Sequence, residues 1–267
     1  MISKFFRYAV GFLLLILILA SFYFSKIALF FTSVFFIIIA MNEYRKMFKE
    51  KEINVIAAIP EIIGIFISSI FISINYIQEH LFITPIILLG IIATFAITVI
   101  KNKKPYLMTS FATIVAFLLI FCGLYIIKLT YYFEEKSAWY LVLIYFITVL
   151  SGDFVASQIG PKFKKKLAFE ISPNKTIGGA IANLITACIV CLSLKYLIDF
   201  SIIKCLLLGT TISIFSQIGD LTISTFKRDL GIKHSGTFFL NYGGVLDRMD
   251  AFIFSAPTAY YCLCLFS

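Results

Sequence analysis

SQIGDLTISTFKRDLGIKHSGTFFLNYGGVLDRMD, residues 216–250, is the stretch around which the chain is organised. It reads as an apolar helix that acquires a polar stripe and Asp220, then breaks into a basic loop. The loop ends in Gly243-Gly244 and a second acidic cluster, Asp247-Arg248-Met249-Asp250. Long apolar runs flank the stretch on both sides, which puts its charges next to a bilayer. Carboxylates, cations and glycines concentrated there suggest a metal-assisted phosphate site.

Outward from this stretch, the chain is membrane-like. Of 267 residues, 61% are hydrophobic and 14% are charged, against about 25% charged in soluble domains. Apolar runs lie near 5–24, 27–41, 53–77, 82–100, 107–129, 138–158, 177–199, 202–223 and 247–266. A crossing needs about 20 such residues. The second run is short and the third is interrupted by Pro60-Glu61, so eight or ten crossings remain open beside nine. The runs are continuously apolar and do not alternate, which favours helices over a barrel. The expected fold is therefore an all-α integral membrane protein, a polytopic bundle of about nine transmembrane helices with a cytoplasmic N-terminus.

The first run follows Lys4 and Arg7, as in a signal peptide. It is read as an uncleaved anchor, because it continues through Phe22-Tyr23-Phe24 with no small-x-small cleavage site. Basic residues set the orientation. With nine crossings, all but Lys26, Lys128, Lys136, Lys195 and Lys204 of the 23 basic residues fall on the cytoplasmic side. That pattern suits the inner (plasma) membrane of a cell, with the site on the cytoplasmic face. The net charge of +9 is spread over short loops. Topology and attraction to anionic lipid account for it, and no nucleic-acid motif is present.

No part is polar enough for a separate soluble domain. Residues 1–137 read as scaffold, with a lipid-facing wall or oligomer contacts, a homodimer among them. Glu61 is read as the sole acid inside a crossing there. Residues 138–267 carry the polar groups. Cys122, Cys188, Cys191, Cys205, Cys262 and Cys264 all fall in apolar runs. Cys188-x-x-Cys191 has no histidine nearby and reads as two buried small hydrophobes. His80 and His234 lie in loops far apart.

In the C-terminal part, Thr210, Ser213, Gln217, Asp220, Ser224 and Lys227 recur every three or four residues and share one helical face. Such a stripe should line a cavity or another helix. Thr176, Gly179, Asn183 and Thr186 share a face of the preceding run, where helix packing is an equal explanation. Ser172-Pro173-Asn174 reads as a turn or helix start. Asp153 sits near the inner end of its run, before the basic segment Lys162 to Lys166. Four acids from three runs, Asp153, Asp220, Asp247 and Asp250, can thus meet at one depth.

Clustered aspartates beside lysines and arginines suit Mg²⁺, which takes one or two carboxylates plus substrate phosphates. Cationic side chains would hold the remaining phosphate oxygens and a pyrophosphate leaving group. Gly243-Gly244 permits close backbone approach. Phosphoryl or nucleotidyl transfer fits these parts. Acyl transfer does not, since no serine–histidine pair is evident, and no GxxxxGK[ST] loop occurs.

Ser224-Thr225-Phe226-Lys227-Arg228, Lys233 and Gly243-Gly244-Val245-Leu246-Asp247-Arg248-Met249-Asp250 resemble the signature of the phosphatidate cytidylyltransferase family. Gln217-Ile218-Gly219-Asp220-Leu221, Asp153 with Ala156, and Ser172-Pro173-Asn174-Lys175-Thr176 look like its upstream blocks. The resemblance covers residues 138–255 and implies transfer of CMP from CTP to phosphatidic acid. CDP-diacylglycerol and pyrophosphate are the implied products, with Mg²⁺ and a second cation as candidate cofactors. It implies Asp220 and Asp247 as metal ligands, with Asp250 and Asp153 as further ligands or behind them. Lys175, Lys227, Arg228 and Arg248 would hold phosphates. Ser172, Pro173, Thr176, Ser224, Gly243 and Gly244 would shape substrate binding. Four polar positions of the family pattern are replaced, by His234, Tyr242, Ile223 and Gly178. A transferase for another lipid, an inactive relative and an anion or solute transporter are the alternatives.

Overall fold

The computed structural model describes residues 16–17, 20–21, 26–55, 92, 96, 100, 106–131, 135–168, 171–239 and 243–266. The expected crossings at 5–24, 53–77 and 82–100 lie almost wholly outside these, as do Glu61, His80 and Tyr242.

Six long helices form the described part: α1 (Lys26–Lys49), α2 (Tyr106–Tyr131), α3 (Glu135–Ile159), α4 (Ile177–Ser193), α5 (Ile202–Asp229) and α6 (Leu246–Cys264). Two short strands, β1 (Lys166–Ala168) and β2 (Ser172–Thr176), pair antiparallel between α3 and α4, with Lys166 opposite Thr176. Among the described residues, α1, α2, α3 and α5 are long and apolar enough to cross a membrane. The expected nine exceeds four because three runs fall outside the description. In addition, α4 has only 17 residues, and α6 opens with Asp247, Arg248 and Asp250.

Local chemistry sets the ends. The apolar run at 27–41 continues through Asn42 to a helix of 24 residues that finishes on Lys46 and Lys49, cations that suit a helix C-terminus. α3 stops at Ile159 and passes into a single tight helical turn, Gly160–Lys162, because Pro161 has no N–H to continue the helical ladder. Thr176 caps α4 by accepting from the Gly179 amide at 3.1 Å, and Ser201 caps α5 by accepting from Lys204.

The hairpin corrects two expectations. The chain is not wholly helical, and Ser172-Pro173-Asn174 lies on β2 instead of forming a turn. Three-residue pairing in a lysine-rich segment leaves no alternation to read.

In a bilayer, lipid tails are as apolar as the helices, so packing comes from close fit and interhelical hydrogen bonds. Two apolar clusters do this. One joins α1, α2 and the start of α6 through Met41, Tyr44, Leu119 and Leu246. The other joins α2, α3, α4, α5 and α6 through Tyr145, Cys191, Ile212 and Tyr260. Of the two cysteines expected as buried small hydrophobes, Cys191 is buried and Cys188 only partly so; Cys205 is buried as well, and all six cysteines are free thiols. α6 is packed against α5 and α2 and also touches α1. Its charged first turn therefore faces protein.

Candidate active site

The polar stripe of α5 faces inward, as its spacing requires. Ser213, Ser224 and Lys227 on it are buried. Lys227 Nζ lies 2.6 Å from Asp247 Oδ1, tying the end of α5 to the first turn of α6. Asp247 Oδ2 accepts from the Ser235 amide at 3.0 Å and the Gly244 amide at 3.1 Å. This carboxylate is thus folded back onto the loop that delivers it. Gly243 makes the fold-back possible. Its φ of +95° suits glycine, and a Cβ there would stand 2.5 Å from Asp247 Oδ2. His234 Nδ1 is 3.7 Å from the same oxygen. An acid at that position would repel Asp247, whereas an imidazole does not.

A second ion pair lies beside the first. β2 presents Lys175, whose Nζ is 2.7 Å from Asp220 Oδ2, with side chains 24% and 33% exposed. The Ser224 hydroxyl points at Asp220 Oδ1 from 3.4 Å. Asp250, nearly a full turn beyond Asp247, is buried within electrostatic range of Asp220, Asp247, Lys227 and Lys175. Three acids and two lysines from β2, α5 and α6 are thus brought together.

Asp153 stands at the end of a separate chain of side chains that links α3, α4 and α5. Asn183 Nδ2 donates to Asp153 Oδ1 at 3.1 Å. Ser213 Oγ donates to Asn183 Oδ1 at 2.7 Å. Gln217 Nε2 donates to Ser213 Oγ at 3.1 Å and to the Ala180 carbonyl at 3.3 Å. Every donor points toward Asp153, so the chain ends on a group that only accepts, which is a carboxylate. The shared faces of α4 and α5 meet here, and Asn183 bonds across helices.

Other expected residues hold the frame. Thr176 donates to the Gly160 carbonyl at 2.9 Å while capping α4, which fixes the hairpin at the end of α3. Arg228 is exposed and donates to the carbonyls of Ile171 and Ile232. It braces β2 against the loop after α5. Ser172 is half-buried and Pro173 exposed on β2. Arg248 is half-buried on the first turn of α6. Two replaced positions have local explanations. Ile223 is fully buried in the apolar cluster with α1 and α2. Phe163 packs over Gly178, where any side chain would meet the ring.

One residue of the site escaped the sequence reading. Glu43, in the polar end of α1, is 7% exposed. It accepts from the amides of Val245 at 3.0 Å and Leu246 at 2.9 Å, and from Ser235 Oγ at 3.2 Å. Val245 has no capping side chain of its own, so Glu43 satisfies the first N–H groups of α6 from another helix. Gly244 lies against its carboxylate with no room for a Cβ.

The donor set fits a sparsely held divalent cation. Among the described residues, no three acidic, histidine or cysteine side chains converge as a ready-made metal cage. Asp220 and Asp247 with flanking lysines match a cation that takes one or two carboxylates and shares the rest with substrate phosphates.

Acids and lysines drawn from separate elements thus meet at one end of an apolar helix pair. The chain belongs to the Cytidylyltransferase family, which it matches over residues 5–266. A protein of Staphylococcus aureus (strain COL) named phosphatidate cytidylyltransferase is 41% identical over 131 residues, 48% of this chain and 50% of that relative. One of the same name from Staphylococcus haemolyticus is 42% identical over 130 residues, with the same coverage. Another from Bacillus subtilis is 33% identical over 178 residues, 63% of each protein. The chain therefore spans about half the length of the staphylococcal relatives it matches.

Proposed function

We propose that this protein transfers CMP from CTP to phosphatidic acid, giving CDP-diacylglycerol and pyrophosphate. The observation that carries the reading is the pairing of Lys175 with Asp220 and of Lys227 with Asp247 around buried Asp250. It stands in a chain of the Cytidylyltransferase family, and the relatives' names supply the lipid and the nucleotide.

In the proposed reaction an oxygen of the lipid phosphate attacks the α-phosphorus of CTP. The bond from that phosphorus to the bridging oxygen breaks, and pyrophosphate leaves with the electron pair. The attacking phosphate is already ionised near neutral pH, so no strong general base is needed. Lys175 exchanges its aspartate partner for phosphate oxygens, while Lys227 stays beside Asp247, and both offset the charge gathering on the leaving group. Arg228 and Arg248 extend the cationic wall. Asp220 and Asp247, with Asp250 and Asp153 behind them, would hold Mg²⁺, which when bound offsets phosphate charge.

The reading includes a cytoplasmic site, a cytoplasmic N-terminus and nine crossings. A C-terminal reporter fusion that scored cytoplasmic would remove that topology. It also includes a homodimer, which light scattering in detergent tests directly.

The activity test uses purified full-length protein in detergent with phosphatidic acid, labelled CTP and Mg²⁺. Labelled CDP-diacylglycerol is the expected product. Product only with another lipid or nucleotide would replace the substrate assignment. Solute flux in vesicles without turnover would replace the reaction by transport.

A further inference from the structure

We propose that Glu43 is a positioning residue for the reaction, and that α1 is thereby part of the catalytic apparatus and not only scaffold. The inference rests on the reading above for its substrates, but its geometry stands alone.

Glu43 sits where the polar end of α1 meets the segment between α5 and α6. Its two oxygens receive three donors from that segment, the Ser235 hydroxyl and the Val245 and Leu246 amides. The same segment binds Asp247 Oδ2 through the Ser235 and Gly244 amides. Ser235 is therefore shared: its hydroxyl answers to Glu43 and its amide to Asp247. Residues 243–246 are shared in the same way, with Gly244 on Asp247 and the next two amides on Glu43. Two carboxylates from different helices hold one loop from opposite ends.

The consequence concerns Asp247. Its position depends on a loop containing Gly243 in the left-handed region, a residue with little intrinsic preference for one conformation. Something outside the loop must choose that conformation. Glu43 is buried, and its carboxyl oxygens accept from the start of a helix, where unpaired N–H groups and the helix dipole favour an anion. Removing it frees two backbone donors in a buried place and loosens the loop at the residue next to Asp247. Displacement of a charged group by about 1 Å is enough to lower turnover about 10²-fold. Substrate binding through Lys175 and Arg228 is left in place, because β2 and its brace do not touch Glu43.

The test compares wild type, Glu43→Gln and Glu43→Ala as full-length protein in detergent. Glu43→Gln keeps one acceptor oxygen in the same place, and Glu43→Ala keeps none. Hydrogen exchange should show faster uptake over residues 235–246 in Glu43→Ala, with uptake over 177–193 unchanged. In the CMP-transfer assay, kcat per folded molecule should fall about tenfold to 10²-fold in Glu43→Ala, with KM for CTP near wild type. Glu43→Gln should recover part of the turnover. If Glu43→Ala does not fold, Glu43→Gln against wild type makes the same comparison. Unchanged exchange in the loop overturns the proposal. So does a loss of activity that tracks only the folded fraction. A wild-type protein that makes no CDP-diacylglycerol would sink the substrate reading, while the exchange result still decides whether Glu43 holds the loop.

Discussion

Asp247 and Asp220 are both paired with lysine, yet their surroundings differ. The pair on the α6 side has side chains 10% and 9% exposed, and Asp247 also takes two backbone donors. The pair on the hairpin side has side chains 24% and 33% exposed, with a single long contact from Ser224. One carboxylate is fixed before substrate arrives. The other can give up its lysine. The proposed transfer between two anionic substrates would use both kinds: a preorganised charge, because nothing then rearranges during reaction, and an exchangeable pair that opens for phosphate.

Four substitutions sharpen or break this contrast, measured as stability by thermal or denaturant unfolding in detergent. Asp247→Asn leaves Lys227 buried and unpaired and should cost about 3–5 kcal/mol. A loss no larger than that of Asp220→Asn would remove the distinction. Next comes Asn183→Leu, which strands the Ser213 hydroxyl and one Asp153 contact, at about 1–3 kcal/mol. Full retention of stability would mean that water replaces the chain of donors. Thr176→Ala removes the cap of α4 and the tie to Gly160, for about 1 kcal/mol, and should lower activity modestly by loosening β2. Asp220→Asn should be smallest, about 0–1 kcal/mol for a partly exposed pair, while abolishing most turnover. Stability and activity thus separate at Asp220 and fall together at Asp247.

Part of this was readable from residues alone. The stripe from Thr210 to Lys227 follows helical spacing, and α5 buries Ser213, Ser224 and Lys227 on that face. Asp220, Asp247 and Asp250 lie at helix ends, and in the structure Asp220 and Asp247 each pair with a lysine beside buried Asp250. The sequence pattern also puts Asp153 beside them, whereas the structure ties Asp153 to Asn183 and, through it, to Ser213 and Gln217. That route needs three helices in register, which spacing within one helix cannot reveal. Glu43 was missed for a related reason. It lies among Asn42, Tyr44, Arg45 and Lys46, where an acid reads as an ordinary solvated helix end. Its partners are 202 residues away in sequence at Val245. The hairpin was missed because strands of three and five residues, rich in lysine and containing proline, carry no period-two signal.

In the proposed CMP transfer, Asp220 and Asp247 are the central acids. The most direct measurement is formation of labelled CDP-diacylglycerol by purified wild type, Asp220→Asn and Asp247→Asn with CTP, phosphatidic acid and Mg²⁺. Product from wild type and a drop on the order of 10²-fold or more in both variants, with Asp220→Asn melting like wild type, is the predicted result. Full activity in either variant would contradict the assignment.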